Sequence, residues 1–102
     1  ALAFNAAGGS GCISVTANVA PGLCADFQAA SAAGDSATAL ALHDRLFALH
    51  LAMFTDASPG PVKYAVSKVR PGFPTGLRLP MTWPSDASQA AVDAALQTAG
   101  LI

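Results

Sequence analysis

Lys63 and Lys68 are the only lysines of the chain, and a lysine amine can form an imine with a carbonyl substrate where its surroundings hold it neutral. Tyr64 follows Lys63 directly, but on a helix adjacent side chains stand about 100° apart, so the two form no obvious proton-transfer pair. Lys63 lies in the first helical turn after Pro61-Val62, which suits a solvated or surface-pairing lysine. His43 and His50 share one side of a helix, two turns or roughly 10 Å apart along its axis. That is too far for one metal ion without a ligand between them, and Leu46 and Phe47 fill the gap; no metal site is expected.

The other polar residues are no more suggestive. Asp44 beside Arg45 reads as a solvated pair. Asp26, Asp35, Asp56, Asp86 and Asp93 are scattered along the chain and suggest no carboxylate pair. Gly8, Gly9 and Gly11 come before a strand-like run, whereas a phosphate-binding loop follows its strand and opens a helix. Cys12 and Cys24 lack metal or redox spacing and read as two small buried thiols. Trp83, between Thr82 and Pro84, suits a cap over a helical unit where the chain turns into its last helix.

The elements that must position these residues can be read from punctuation and periodicity. A short Ala-rich helix ends at Gly8-Gly9-Ser10-Gly11. Cys12-Ile13-Ser14-Val15-Thr16 is short, apolar, rich in β-branched residues and bounded by turn signals, so it predicts a buried strand. Pro21 suits the first position of a helix reaching about Ala33, with Gly34 as its stop. Asp35 and Ser36 can cap a second long helix through Leu40, Leu42, Leu46, Phe47, Leu49, Leu51, Met53 and Phe54. Its apolar residues cover more than half the circumference, which predicts packing on several sides. Pro61 opens a further helix that Pro71, Gly72, Pro74 and Gly76 break. Leu77-Arg78-Leu79-Pro80 is expected to be extended. Asp86 with Gln89 resembles a capping box for the last helix, whose Val92, Ala95, Leu96 and Ala99 share a face before Gly100.

Composition narrows the function classes. The chain has 102 residues, of which 53% are hydrophobic and only 11% charged, with a formal net charge of −1. Soluble chains usually carry roughly 25% charged residues. Nucleic-acid binding is disfavoured, because it calls for clustered Lys and Arg. Disorder is excluded, because its signature is low hydrophobicity with high net charge. No Asp, Glu, Lys, Arg or His precedes Asp26, yet Asn5, the glycines, Asn18 and Pro21 punctuate that stretch too often for a signal peptide or a membrane span. Its expected place is inside a protein, with neighbours on both sides. A buried strand needs partners along its edges, and no second convincing strand is present. An unpaired backbone group kept from water costs about 1–3 kcal/mol.

The block from Gly8 to Pro21, Gly-Gly-Ser-Gly-Cys-Ile-Ser-Val-Thr-Ala-Asn-Val-Ala-Pro, resembles the last barrel strand of the dihydrodipicolinate synthase family, pyruvate-dependent enzymes of lysine biosynthesis. Ser58-Pro59-Gly60-Pro61-Val62-Lys63-Tyr64-Ala65 and Leu77-Arg78-Leu79-Pro80-Met81 are similar to the same family at compatible spacing, and the likeness continues to Ile102. N-acetylneuraminate lyase and related pyruvate aldolases share the barrel but match the first block less well.

The resemblance implies an α/β fold, the C-terminal part of a (β/α)8 barrel with a helical extension, and for the chain alone a mostly α structure. Residues 1–34 would be the end of the barrel: the end of helix seven, strand eight and helix eight. Residues 35–102 would be the C-terminal helical domain, with Val69 to Gly76 replacing a tighter link. It also implies a lyase that condenses pyruvate with aspartate 4-semialdehyde through a lysine Schiff base, without a cofactor, in a cytoplasmic homotetramer. The imine lysine and its Tyr and Thr partners lie on earlier strands, so the chain would be an inactive portion of the enzyme with no catalytic residue. What carries over is Ile13, whose backbone carbonyl would approach bound pyruvate. A non-catalytic helical module, held by self-association or by docking on a barrel, is the reading from a different class.

Overall fold

The computed structural model describes all residues 1–102 as five α-helices and one 3₁₀ turn, with no strand. The helices are α1 (Leu2–Ala6), α2 (Pro21–Ala32), α3 (Ser36–Ala52), α4 (Gly60–Val69) and α5 (Asp86–Thr98); the 3₁₀ turn is Thr16–Asn18. No helix is long and apolar enough to cross a membrane.

Helix boundaries follow local chemistry. Pro21 occupies the first turn of α2, where its missing N–H costs nothing. Asp35 caps α3 by accepting from the Thr38 amide at 3.1 Å. Gly34 and Gly100 follow α2 and α5 with φ of +73° and +69°, the left-handed conformation that ends helices without a Cβ penalty. The cap of α5 is one residue earlier than expected: Ser85 Oγ accepts from the Ser88 amide at 3.3 Å. Asp86 is therefore already helical, and Gln89 reaches back to the Pro84 carbonyl at 2.8 Å. Leu77–Arg78 carries no helix, but Leu79–Pro80 forms a turn closed by the Met81 amide on the Arg78 carbonyl at 3.0 Å.

Packing centres on α3, which lies against α2 on one side and α5 on another, while α4 packs on α5. Leu46, Leu49, Met53, Val92 and Leu96 are the large fully buried apolar side chains. Each such burial contributes about 1.5–3 kcal/mol. Tyr64 of α4 donates to Asp93 of α5 at 2.9 Å, Lys68 pairs with the same carboxylate at 3.4 Å, and Trp83 meets the Tyr64 ring edge-on. Arg45 does not pair with Asp44; its Nε donates to the Ala99 carbonyl at 2.8 Å, joining α3 to the end of α5.

One expectation is corrected. Cys12–Thr16 is not a strand: residues 12–14 are irregular, and Val15 leads directly into the 3₁₀ turn. A strand needs a neighbouring edge, and no other segment of the chain provides one. Helix α3 packs on more than one side, as expected, but not on all of its apolar positions. Ala39, Leu46, Leu49 and Met53 are buried, whereas Leu40, Phe47, Leu51 and the following Phe54 are 49–63% exposed. The positions of the latter four fall on one helical stripe, so the chain leaves an apolar face open.

Candidate functional site

A cavity of about 610 Å³ lies between the irregular Cys12–Val15 segment, α2 and α3. Ile13 and Thr16 line it from the segment, Cys24 and Gln28 from α2, and Phe47 and His50 from α3. It opens beside the apolar stripe of α3, since Phe47 and Phe54 belong to both. A concave, mainly apolar space with a few converging polar groups is the usual form of a small-molecule site.

The positions of its polar groups follow from a few contacts. Asn5 Nδ2 donates to Gln28 Oε1 at 2.9 Å, and Gln28 Nε2 donates to Cys12 Sγ at 3.5 Å. Ser14 Oγ accepts from the Ala17 amide at 3.2 Å, which turns the segment into the 3₁₀ turn. Thr16 Oγ1 stands 2.7 Å from His50 Nδ1. Thr16 is almost wholly buried, so its hydroxyl depends on that partner. Burial, and then the charges of His43 and the Ala1 amino group, push the His50 pKa down. The ring therefore enters the contact neutral, with one nitrogen a donor and the other an acceptor.

Ile13 is the residue singled out from the sequence, and it sits on the wall of this cavity. Its side chain is fully exposed, contrary to the strand-interior position expected, and its amide and carbonyl make no hydrogen bond within the chain. Cys12 is exposed and Cys24 half-buried, so neither is the buried thiol predicted; both line the cavity. Burial raises the Cys24 pKa, against a smaller lowering by Ser14, which disfavours the thiolate.

The remaining candidates stay apart from this space. Lys63 Nζ donates to the Gly76 carbonyl at 3.0 Å. Lys68 lies over the Tyr64 ring, 5.3 Å from its centroid, and Tyr64, then Asp93, raises its pKa. An imine-forming lysine needs the opposite shift. His43 stacks against Phe47, with ring centroids 5.5 Å apart, and no group of three metal-ligating side chains occurs. The contact of His50 with Thr16 was missed in the sequence: the spacing from His43 gave the shared helix side, but nothing indicated that Thr16 would lie opposite.

Comparison with known proteins places this geometry. A model described as the dihydrodipicolinate synthetase family matches residues 1–99. A 4-hydroxy-tetrahydrodipicolinate synthase of Rhizorhabdus wittichii is 69% identical over 99% of the chain, which covers 35% of that protein. Among solved structures, a dihydrodipicolinate synthase of Thermotoga maritima superposes with a TM-score of 0.91 at 32% identity, over 99% of this chain and 34% of its own. The chloride-inhibited enzyme of Acinetobacter baumannii complexed with pyruvate superposes with a TM-score of 0.90 at 35% identity, over 100% of this chain and 35% of its own. These neighbours are (β/α)8 barrel enzymes, and the chain spans about a third of the length of the relatives it matches.

Proposed function

Since the chain belongs to the dihydrodipicolinate synthetase family, we propose that it serves as the C-terminal third of a barrel lyase, 4-hydroxy-tetrahydrodipicolinate synthase, which condenses pyruvate with aspartate 4-semialdehyde. On this reading residues 1–34 complete the barrel, residues 35–102 form a helical domain on it, and the tetrameric assembly belongs to the complete enzyme. The observation that carries the reading is the unpaired backbone of Ile13 on the wall of an open cavity, in a chain that superposes on an enzyme solved with pyruvate.

In the chemistry proposed, a neutral lysine amine adds to the keto carbon of pyruvate and water leaves, giving an imine. Loss of a methyl proton then yields the enamine that attacks the aldehyde carbon of the second substrate. This chain supplies neither the amine nor the proton relay, because Lys63 is engaged by Gly76 and Lys68 is held protonated. Its contribution is the Ile13 carbonyl. A carbonyl oxygen accepts a hydrogen bond from an N–H or O–H formed at the reacting carbon and brings no charge that would compete for the lysine proton. The side chain at position 13 is free to vary as far as this role is concerned. The exposed stripe of Leu40, Phe47, Leu51 and Phe54 is the surface on which the remaining barrel would rest, since contiguous exposed apolar side chains mark contact sites.

The experiment is a chimaera in which this chain replaces the segment it matches in the R. wittichii relative. Condensation of pyruvate with aspartate 4-semialdehyde by the chimaera, with none by the chain alone, is the expected result. A folded but inactive chimaera, or turnover by the isolated chain, would overturn the reading.

A further inference from the structure

We infer that Lys63 and Arg70, with Asn18 opposite them, form a binding site for a small dicarboxylate beside the mouth of the barrel. Its location rests on the reading that residues 1–34 complete that barrel; its walls belong to this chain alone.

A second cavity, about 310 Å³, is lined by Val62, Lys63 and Val66 of α4, by Arg70 and Phe73 just beyond that helix, and by Asn18 of the 3₁₀ turn. The size suits a small molecule. Lys63, Val66 and Arg70 recur at the spacing of one helical stripe, and the Arg70 amide still donates to the Val66 carbonyl at 2.9 Å. The two cations therefore stand at the ends of an apolar strip two turns, or roughly 10 Å, long. Tyr64 and Lys68 lie on the other side of α4, where both engage Asp93.

Charge sets this cavity apart. No carboxylate lines it. Of the five Lys and Arg residues of the chain, Lys68 pairs with Asp93 and Arg45 is bound to the Ala99 carbonyl. Lys63, Arg70 and Arg78 have no carboxylate partner, and two of these three share the cavity. Lys63 gives one N–H to the Gly76 carbonyl at 3.0 Å and keeps two donors. That bond also closes the Val69 to Gly76 stretch against α4, with Phe73 packed on the core. Asn18 gives one amide N–H to the Val15 carbonyl at 3.0 Å and keeps the other. Two cations and an amide donor, set around Val66 and Phe73, match a ligand with a carboxylate at each end and a short carbon chain between. A guanidinium can hold one such carboxylate through two parallel bonds.

Barrel enzymes build their sites at the C-terminal ends of the strands. Asn18 comes two residues after the Cys12–Thr16 segment, so on the proposed reading it marks that end of the last strand. Neighbouring strands would pair along the segment and not beyond it. Pyruvate and aspartate 4-semialdehyde each carry one carboxylate, and their condensation keeps both. The product therefore belongs to the ligand class that the cavity fits.

The test titrates glutarate calorimetrically into the R. wittichii chimaera, before and after its pyruvate adduct is reduced with borohydride to block the catalytic lysine. Glutarate is expected to bind in both states, and butyrate, with one carboxylate, about tenfold more weakly. Lys63→Gln and Arg70→Gln should each weaken glutarate about fivefold. Arg70→Gln changes an exposed side chain and leaves the Gly76 bond in place. Arg78→Gln removes a cation outside the cavity and should change nothing. No binding, loss of binding on reduction, equal binding of butyrate, or an Arg78 effect as large as the Arg70 effect would overturn the inference. A chimaera that forms no adduct would count against the proposed function instead, while titration of the variants still decides the site.

Discussion

Arg45 and Ala99, far apart in the chain, meet where Arg45 Nε donates to the Ala99 carbonyl at 2.8 Å. The guanidinium thus sits at the C-terminal end of α5, where carbonyls lack helical partners and the helix dipole favours a cation. Arg45→Met should destabilise the chain by about 1 kcal/mol, the range for one partly exposed hydrogen bond at a helix end. Asp44→Ala should be close to neutral, because Asp44 makes no ion pair with Arg45. Urea unfolding of the two variants measures both, and an Asp44 effect as large as the Arg45 effect would restore the paired reading.

Tyr64 and Asp93 join α4 to α5 within the helical unit. Tyr64→Phe removes the donor and leaves a half-buried carboxylate with Lys68 alone. The expected loss is about 1–2 kcal/mol by the same measurement, since a hydrogen bond to a charged group is worth more than a neutral one.

Gly9 is required for steric reasons. A Cβ at this position would collide with the Phe4 ring and stand 2.7 Å from the Phe4 carbonyl oxygen, to which the Gly9 amide itself donates at 2.9 Å. The ring could turn away, but the backbone oxygen could not. Gly9→Ala is expected to unwind the end of α1, seen as faster hydrogen exchange at the Ala7 and Gly9 amides. Gly22→Ala, with nothing near its would-be Cβ, is the control and should leave exchange there unchanged.

These contacts show how far the sequence could be read. Pro21, Asp35, Gly34 and Gly100 are local signals, and the helices begin and end beside them because caps and φ preferences act within one turn of chain. The run from Cys12 to Thr16, rich in β-branched residues, predicted a strand, but strand formation depends on a second edge, which is not a property of those residues. Periodicity in α3 marked its apolar positions without saying which would be covered: Leu46 and Leu49 are buried, while Leu40 and Leu51 stay exposed. For the site, the family resemblance led to Ile13, which lies on the cavity wall. Thr16 and His50 were opaque because their contact spans two elements and neither residue alone has unusual chemistry.

Acid should weaken the fold through Asp35 and Asp56. Thr38 holds the Asp35 carboxyl below its usual pKa, and the Ser85 amide and hydroxyl, at 2.8 and 2.9 Å, do the same for Asp56. Folding therefore favours the ionised forms. Their contribution is complete above the unfolded value of about 4 and is lost as pH falls through the lower folded values. Asp56→Asn should flatten the decline of stability below about pH 4, measured by urea midpoint against pH. An unchanged slope would show that the Ser85 contacts do not hold in solution.

His50 gives a second slope, at higher pH. Its folded pKa lies below the ordinary imidazole value, so the unfolded chain binds a proton first as pH falls. Stability should be full above about pH 6.5 and decline below it, until the folded ring also titrates. His50→Asn should abolish that part of the profile. A wild-type profile flat between pH 7 and 5 would mean that the ring is not buried as described.

In the proposed enzyme the imine forms on a lysine outside this chain. With the chain in place of its matching segment in the R. wittichii relative, the chimaera is incubated with pyruvate, reduced with borohydride, weighed and mapped by peptide mass. One adduct per subunit is expected, with the mass of pyruvic acid less one oxygen atom, on a lysine outside these 102 residues. An adduct on Lys63 or Lys68, or no adduct in a folded chimaera, would contradict it.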